Sequence, residues 1–471
     1  MELMNKKSKL LENSNIKFDI VIFLIPFLLL SFALYIYYPG IYTFDVFNQL
    51  SQIDKNLYTP GHPFISTFYI MIFYKLFKFK SALVIFQILW YCIIWVLICK
   101  YNRKNNDSKF NRRLQMIFSV FMGINPLILT TVISNNKDSV FFLIFMTICY
   151  FMQKIIDDKF DSQIKNYVGL SFFLIFFSNI RHNGHYTILV FIPIMLIVMI
   201  KYLYKNNKKK ILVFCASLIV FTLLFKVPSQ FFEVIRTSNN VSGVGSNKAL
   251  QLEGYLYNNN YLSDKEIKTI KKYVSLKSLS ERSWNYTFSD PITGVEKTKY
   301  YEKNSNKFIK DSIKIALNHK KGTIKFYLES SPLVWSPVLP DNSIKNYFWI
   351  DINVANRPDS YYYVNGHTKL HKFVSNSLYK SLGYKLLILL FYSCPMYLYM
   401  SIILTIYLTI KKRKFMWLMF LFNAINVLII SISIPVQDTR YLINNMGLTY
   451  ILTIIAISVI SQKSQKQKEQ E

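Results

Sequence analysis

Short polar clusters interrupt a largely apolar chain, and together they hold the residue types that group transfer from a phosphate would need. The first is PGIYTFDVFNQL, Pro39 to Leu50, whose one charge is Asp45. GHP follows at Gly61 to Pro63 and contributes His62. SNNKDS, Ser134 to Ser139, carries Lys137 and Asp138. RHNGH, Arg181 to His185, carries Arg181, His182 and Asn183. QDTRY, Gln437 to Tyr441, carries Asp438, Arg440 and Tyr441. Each cluster lies within a few residues of an apolar run, where an ionisable group costs free energy unless it is paired or functional.

The chemistry open to this set is specific. Lys137, Arg181 and Arg440 suit the oxygens of a phosphate. The same cations would stabilise charge developing on a phosphate as it leaves. An acceptor hydroxyl needs a base, and an isolated carboxylate such as Asp45 suits that task. Plainer readings stand beside these. Asp45 could cap the helix that follows it. Asp138 could pair with Lys137 or Arg181, and Asp438 with Arg440. The spacing of His182 and His185 is compatible with a metal on a helix, but Gly184 argues for a turn there, and no metal or other cofactor is assigned.

These clusters need a scaffold, and composition says which. The chain is 52% hydrophobic and 17% aromatic, beyond what a soluble domain of this length carries. Apolar runs long enough to cross about 30 Å of hydrocarbon recur along it. The fold expected is an all-α polytopic membrane protein. The net charge of +30 does not imply a nucleic-acid partner, because the Lys and Arg clusters sit in short loops between apolar runs, as the positive-inside rule predicts. All five cysteines lie in apolar runs without metal spacing and read as small buried hydrophobes.

Loop charge orders the spans. Lys6, Lys7, Lys9 and Lys17 place the N-terminus in the cytoplasm, and Ile20 to Tyr38 is too long for a signal-peptide core, so it reads as a retained first span. The spans that follow are Ser81 to Cys99, Leu114 to Ser134, Ser139 to Gln153, Tyr167 to Ile180, Tyr186 to Tyr204, Ile211 to Phe225, Tyr384 to Ile410, Phe415 to Ile434 and Ile443 to Ile460. That makes about ten, with both termini cytoplasmic. The stretch Phe64 to Phe79 cannot also cross without putting the basic segment Lys100 to Arg113 outside, so it is expected to lie in the outer interface. All five polar clusters then fall on the outer face. Residues 1–226 form an N-terminal transmembrane module whose first outer loop, 39–80, holds Asp45. Residues 227–383 form an α-rich extracytoplasmic segment, 384–461 the C-terminal spans and 462–471 a cytoplasmic tail. In the outer segment SDKE, Ser263 to Glu266, reads as a capping box. Phe308, Ile309, Ile313, Ile315 and Ala316 suggest an amphipathic helix. Trp284, Tyr286, Trp335, Trp349 and Tyr361 to Tyr363 suit a small core or an interfacial belt.

With sides assigned, the chain resembles the GT-C class of membrane glycosyltransferases, which use polyprenyl-phosphate-linked sugars, and most nearly an uncharacterised bacterial branch of that class. The likeness rests on PGIYTFD before QL, GHP, the pair Lys137–Asp138, RHNG and DTRY, in that order and on one side. SDKEIKTI (Ser263 to Ile270) and SDPITG (Ser289 to Gly294) add a looser match. The resemblance implies a polyprenyl-phosphate sugar donor and a glycan, lipid or protein acceptor at the outer face of a bacterial plasma membrane. It implies that Asp45 is the base or acceptor-binding acid, that Lys137, Arg181 and Arg440 contact phosphate, and that His62 lies near the sugar. Asp138, His182, Asn183, Asp438 and Tyr441 would complete the substrate-binding set. Many members pair two acids in the first outer loop, whereas Val46 and Phe47 follow Asp45 here, which weakens the case for a divalent metal. The rivals are an oligosaccharide polymerase or ligase, which would rely on Arg and His in large loops, and a lipid-linked glycan transporter.

Overall fold

Backbone in hydrocarbon must satisfy its own N–H and C=O groups, and helices do so within one segment. In the computed structural model of the chain the described residues are mostly helical. It describes residues 2–59, 61–77, 79, 81–104, 107–203, 207–230, 243–283, 290–338, 368–381, 383–411, 413, 415–433 and 438–468. Among these the only β pairing is two isolated bridges, Ile41 with Ser134 and Val274 with Lys297.

The N-terminal half contains α1 (Glu2–Ile36), α2 (Phe44–Lys55), α3 (Phe64–Leu76), α4 (Ala82–Lys104), α5 (Lys109–Ile124), α6 (Pro126–Val132), α7 (Lys137–Asp157), α8 (Ile164–Ile180), α9 (His182–Leu203) and α10 (Lys208–Lys226). Then come α11 (Gly243–Asn258), α12 (Asp264–Lys271), α13 (Leu276–Arg282), α14 (Asp290–Thr293), α15 (Lys299–Lys303), α16 (Ser305–Asn318), α17 (Lys320–Ser330), α18 (Pro332–Trp335) and α19 (Thr368–Ser381). The chain closes with α20 (Lys385–Leu387), which runs into one wide turn at Ile388–Tyr392, then α21 (Cys394–Ile410), α22 (Trp417–Ser433) and α23 (Asn444–Lys468).

Among the described residues five segments are long and apolar enough to cross a membrane: Asn15–Ile36, Ala82–Lys104, Lys137–Asp157, His182–Leu203 and Asn444–Ser461. Two bent pairs bring the number to seven if each is one passage. α3, α8 and α22 are apolar but shorter. At 13 residues α3 is only about 20 Å long, too short to cross, and it ends at Leu76, not Phe79. Leu28, Leu189, Ile197, Leu212, Ile219 and Ile403 are exposed around the outside, an apolar surface that a soluble protein would not present to water.

Two expected continuous spans are broken. Leu114 to Ser134 divides into α5 and α6, bent by 65°. The cause is Asn125-Pro126: proline has no N–H to donate and forces the preceding residue out of the helical region. Asn125 is extended, and its Oδ1 accepts from the backbone N–H of Leu127 and Ile128. Tyr384 to Ile410 likewise breaks by 60° between Lys385–Tyr392 and Cys394–Ile410, where Pro395 opens α21. The two breaks share partners. Asn125 Nδ2 donates to the hydroxyls of Tyr397 and Tyr450, each at 3.4 Å. Asn445 Nδ2 donates to the Cys394 carbonyl at 3.2 Å.

α7 was expected as a short span from Ser139 to Gln153; it is 21 residues long and central. It is apolar on all sides, as a helix with no solvent face must be, and packs against α4, α6, α8, α22 and α23. The segment between α10 and α19 has its own small core of Leu250, Tyr255, Leu256, Ile270, Tyr273, Phe308 and Phe326. The capping box forms as expected, with Ser263 N–H donating to Glu266 Oε2 at 3.0 Å. Phe308 and Ile315 of α16 are buried, but Ile313 faces outward. Trp284, Tyr286, Trp349 and Tyr361 to Tyr363 lie outside the described residues, and Trp335 is exposed.

Candidate functional site

The site begins with a backbone stitch. Gly40 has φ of +123°, a conformation that side chains strongly disfavour. A Cβ there would lie 2.7 Å from Asn135 Nδ2 and from Val84 Cγ2. The chain after Gly40 therefore runs tight against the segment before α7. Ile41 N–H donates to the Ile133 carbonyl at 3.0 Å, and Asn135 N–H to the Ile41 carbonyl at 2.9 Å. The cluster at Pro39 to Leu50 is thus tied to that at Ser134 to Ser139, and Asp45 is brought to Lys137.

Thr43, not Asp45, caps α2: its Oγ1 accepts from Val46 N–H at 3.3 Å. The capping reading of Asp45 is corrected by this, since Asp45 sits in the first turn with its carboxylate left for other partners. Asn136 does the same at α7, accepting from the N–H groups of Asp138 and Ser139. That cap puts Lys137 and Asp138 in the first turn of α7. Gln49 locks α2 onto α3 by donating to Ser66 and Thr67, each at 3.0 Å.

Six charged side chains converge where these elements meet. Lys137 Nζ lies 3.5 Å from Asp45 Oδ2, and Arg440 NH1 lies 3.7 Å from the same oxygen. Arg440 Nε is 3.0 Å from Asp438 Oδ2 and 3.6 Å from Asp138 Oδ2. Arg181 pairs with Asp138 and lies over the Tyr441 ring at 4.4 Å. Arg440 NH2 donates to the Tyr441 hydroxyl at 3.1 Å. Both plainer pairings, Asp138 with Arg181 and Asp438 with Arg440, are present. Arg181 is therefore committed to a buried acid, and the cations that approach Asp45 are Lys137 and Arg440. Asp45 is the most accessible acid, its side chain 29% exposed against 1% for Asp138.

His62 joins through Lys137, whose Nζ is 2.7 Å from Nδ1. An ammonium only donates, so Nδ1 accepts and the ring proton sits on Nε2. Burial and the Lys137 charge push the His62 imidazole down to about 4, so it is neutral at pH 7. His182 also reaches His62 electrostatically. Burial tends to raise the Asp45 carboxyl, but Lys137, Arg440 and His62 outweigh it and hold the group below its ordinary value. Asp438 goes the other way: complete burial pushes it up, against the pull of Arg440.

One expected member, Asn183, stands apart, and so does His185 of the possible metal spacing. Asn183 Nδ2 donates to Asn426 Oδ1 of α22 at 2.8 Å and serves helix packing. His185 is exposed beside Tyr186. Gly184 is not in a turn but in the first turn of α9, where a Cβ would meet the Phe177 carbonyl at 2.3 Å. The reversal is made by Arg181, which is extended between α8 and α9. Among the described residues no three of His, Cys, Asp and Glu are grouped to hold a metal. Sequence reasoning missed a polar cavity of about 30 Å³ under the cluster, lined by Thr130, Thr131, Asn136, Asp138, Thr439 and Arg440. Only the fold brings α6 to that position, although Asn-Pro at 125–126 was a readable sign of the break. Comparison of the chain with protein-family models, curated proteins and solved structures finds no match.

Proposed function

We propose that the chain is a GT-C-like glycosyltransferase that moves a sugar from a polyprenyl-phosphate donor to an envelope glycan, lipid or protein acceptor on the outer face of a bacterial plasma membrane. The proposal includes ten spans, with both termini in the cytoplasm. One observation carries it: Lys137 and Arg440 approach a single oxygen of the accessible Asp45 at 3.5 and 3.7 Å. These distances are ion-pair contacts longer than hydrogen bonds. A phosphate that accepts shorter, charge-assisted bonds would draw both cations toward itself.

The consequence for Asp45 follows from charge. With Lys137 and Arg440 turned to the phosphate, the effect that holds its carboxyl low weakens, and it becomes a better base when the donor is bound. The acceptor hydroxyl oxygen then forms a bond to the anomeric carbon. The bond from that carbon to the phosphate oxygen breaks, its electron pair stays on the phosphate beside Lys137 and Arg440, and the hydroxyl proton passes to Asp45. Neutral His62 receives a hydrogen bond from Lys137 and offers Nε2–H as a donor to the sugar or phosphate. Arg181, Asp138, Asp438 and Tyr441 hold Arg440 in place.

The two broken helices favour a second reading, transport of a lipid-linked glycan, because transporters commonly interrupt helices at their binding sites. Deletion of the gene, followed by mass spectrometry of envelope glycans and complementation, separates the two. Loss of a sugar restored by the wild-type chain but not by Asp45→Asn is expected. Unchanged glycans in the deletion strain, or full rescue by Asp45→Asn, would count against glycosyl transfer by this site.

A further inference from the structure

A second polar cleft lies at the far end of α7. With 21 residues between Lys137 and Asp157, the ends of this helix stand about 30 Å apart, one hydrocarbon thickness. The cleft has a volume of about 1070 Å³, and its walls include Lys104, Lys154, Lys159, Arg413, Asp157 and Asn166. These come from separate elements: the end of α4, the last turn of α7 and the turn after it, the first turn of α8, and the link between α21 and α22.

Two kinds of demand meet in it. Arg413 pairs with Asp157 and Gln153 also hydrogen-bonds that carboxylate, yet Asp157 Oδ2 and Asn166 Oδ1 are buried with no partner at ordinary hydrogen-bond geometry among the described residues. The Asp157 side chain is 7% exposed and Asn166 is 3% exposed. Buried acceptors left without a donor cost free energy, so the cleft calls for a molecule that donates. Lys104, Lys154 and Lys159 make the opposite demand. Lys154 Nζ donates to a neutral tyrosine hydroxyl, Tyr150 Oη, at 3.3 Å and lies over the same ring. Against Asp157 and Asp158, the lining carries four cations, so an anion is favoured. A molecule that meets both demands joins a phosphate to a hydrogen-bond donor.

We propose that this cleft binds a phospholipid headgroup that carries its own donor, the hydroxyls of phosphatidylglycerol or the primary ammonium of phosphatidylethanolamine. The phosphate faces the lysines, and the donor reaches Asp157 and Asn166. The position selects a lipid over a soluble phosphodiester. Helix ends one hydrocarbon thickness from the Asp45 cluster lie at headgroup depth, and basic clusters at the inner ends of spans are where lipid phosphates concentrate. The inference rests on the chain lying in a membrane and not on sugar transfer at Asp45.

The test is native mass spectrometry of the purified full chain in detergent, titrated with phosphatidylglycerol, phosphatidylethanolamine or phosphatidylcholine of matched acyl chains. Phosphatidylcholine keeps the phosphate but has no donor. Retention of the first two about tenfold over phosphatidylcholine is expected, the factor that one unmade buried hydrogen bond gives. Lys154→Gln combined with Lys159→Gln should lower retention of all three, with thermal unfolding in lipid-free detergent showing that the variant is folded. Asp157→Asn should narrow the difference between donor-bearing lipids and phosphatidylcholine. Equal retention of phosphatidylcholine would overturn the donor assignment. Unchanged binding by a folded lysine variant would overturn the site. Full competition by equimolar glycerophosphoglycerol would overturn the lipid in favour of a soluble phosphodiester.

Discussion

At the residue scale the account stands on Asp45 and its two cations. Asp45→Asn keeps the shape and removes the charge. It is expected to lower sugar transfer by about 10²-fold or more, the scale of a general base, while leaving the thermal unfolding temperature near wild type because the cap of α2 is Thr43. His62 gives a pH signature. Its folded value of about 4 lies below the ordinary 6.5, so between those values the unfolded chain binds the proton and the folded chain does not. Its contribution favours unfolding as pH falls from about 6.5 to 4. His62→Gln should therefore lose less stability than wild type over that window, measured as the difference in unfolding temperature at pH 7 and pH 5. The residue types were legible, since an acid and cations beside apolar runs demand explanation. The pairing of Lys137 with His62 was not, because 75 residues of chain separate them. Nor was the commitment of Arg181 to Asp138 decided until α7 and α8 were packed together.

At the element scale the stitch between the segment after Gly40 and the segment before α7 is the positioning device. Gly40→Ala would force a Cβ into contacts of 2.7 Å at a left-handed φ, a cost on the order of 2 kcal/mol. Reduced unfolding temperature and reduced transfer together are the expected outcome, since Asp45 depends on that stitch. In the segment between α10 and α19, Glu253 of α11 is buried, with Ser312 Oγ donating to Oε1 at 2.6 Å. Burial pushes its carboxyl up to about 8 from an ordinary 4.5. The folded form keeps a proton that the unfolded form releases, so stability is lost as pH rises from about 4.5 to 8. Glu253→Gln should flatten that slope and stabilise the chain by about 3 kcal/mol at pH 7, read from unfolding at pH 5 and pH 7. Helix positions were legible wherever apolar runs were long, and charge parity alone kept α3 from crossing. α11 was not singled out within the α-rich segment because its glycines, Lys248 and Glu253 interrupt the apolar pattern, although Leu252, Tyr255 and Leu256 recur at helical spacing. The two breaks were missed because hydropathy averages across Asn125-Pro126 and Cys394-Pro395 without seeing the bend.

At the scale of the whole molecule the account is an orientation. One end of α7 holds the Asp45 cluster and the other end the lysine-rich cleft, and from the excess of basic residues around the second we propose that it faces the cytoplasm. Single cysteines placed at Asp54 and Lys159 should report this. An impermeant thiol reagent is expected to label the first in intact cells and the second only after lysis; the reverse pattern would invert the topology. The central claim is tested most directly by release of polyprenyl phosphate. The purified chain in lipid nanodiscs is supplied with a polyprenyl-phosphate sugar and a membrane extract of acceptors from the deletion strain. The account predicts that free polyprenyl phosphate appears with the wild-type chain and falls by about 10²-fold with Asp45→Asn. Equal release by the two proteins would contradict it.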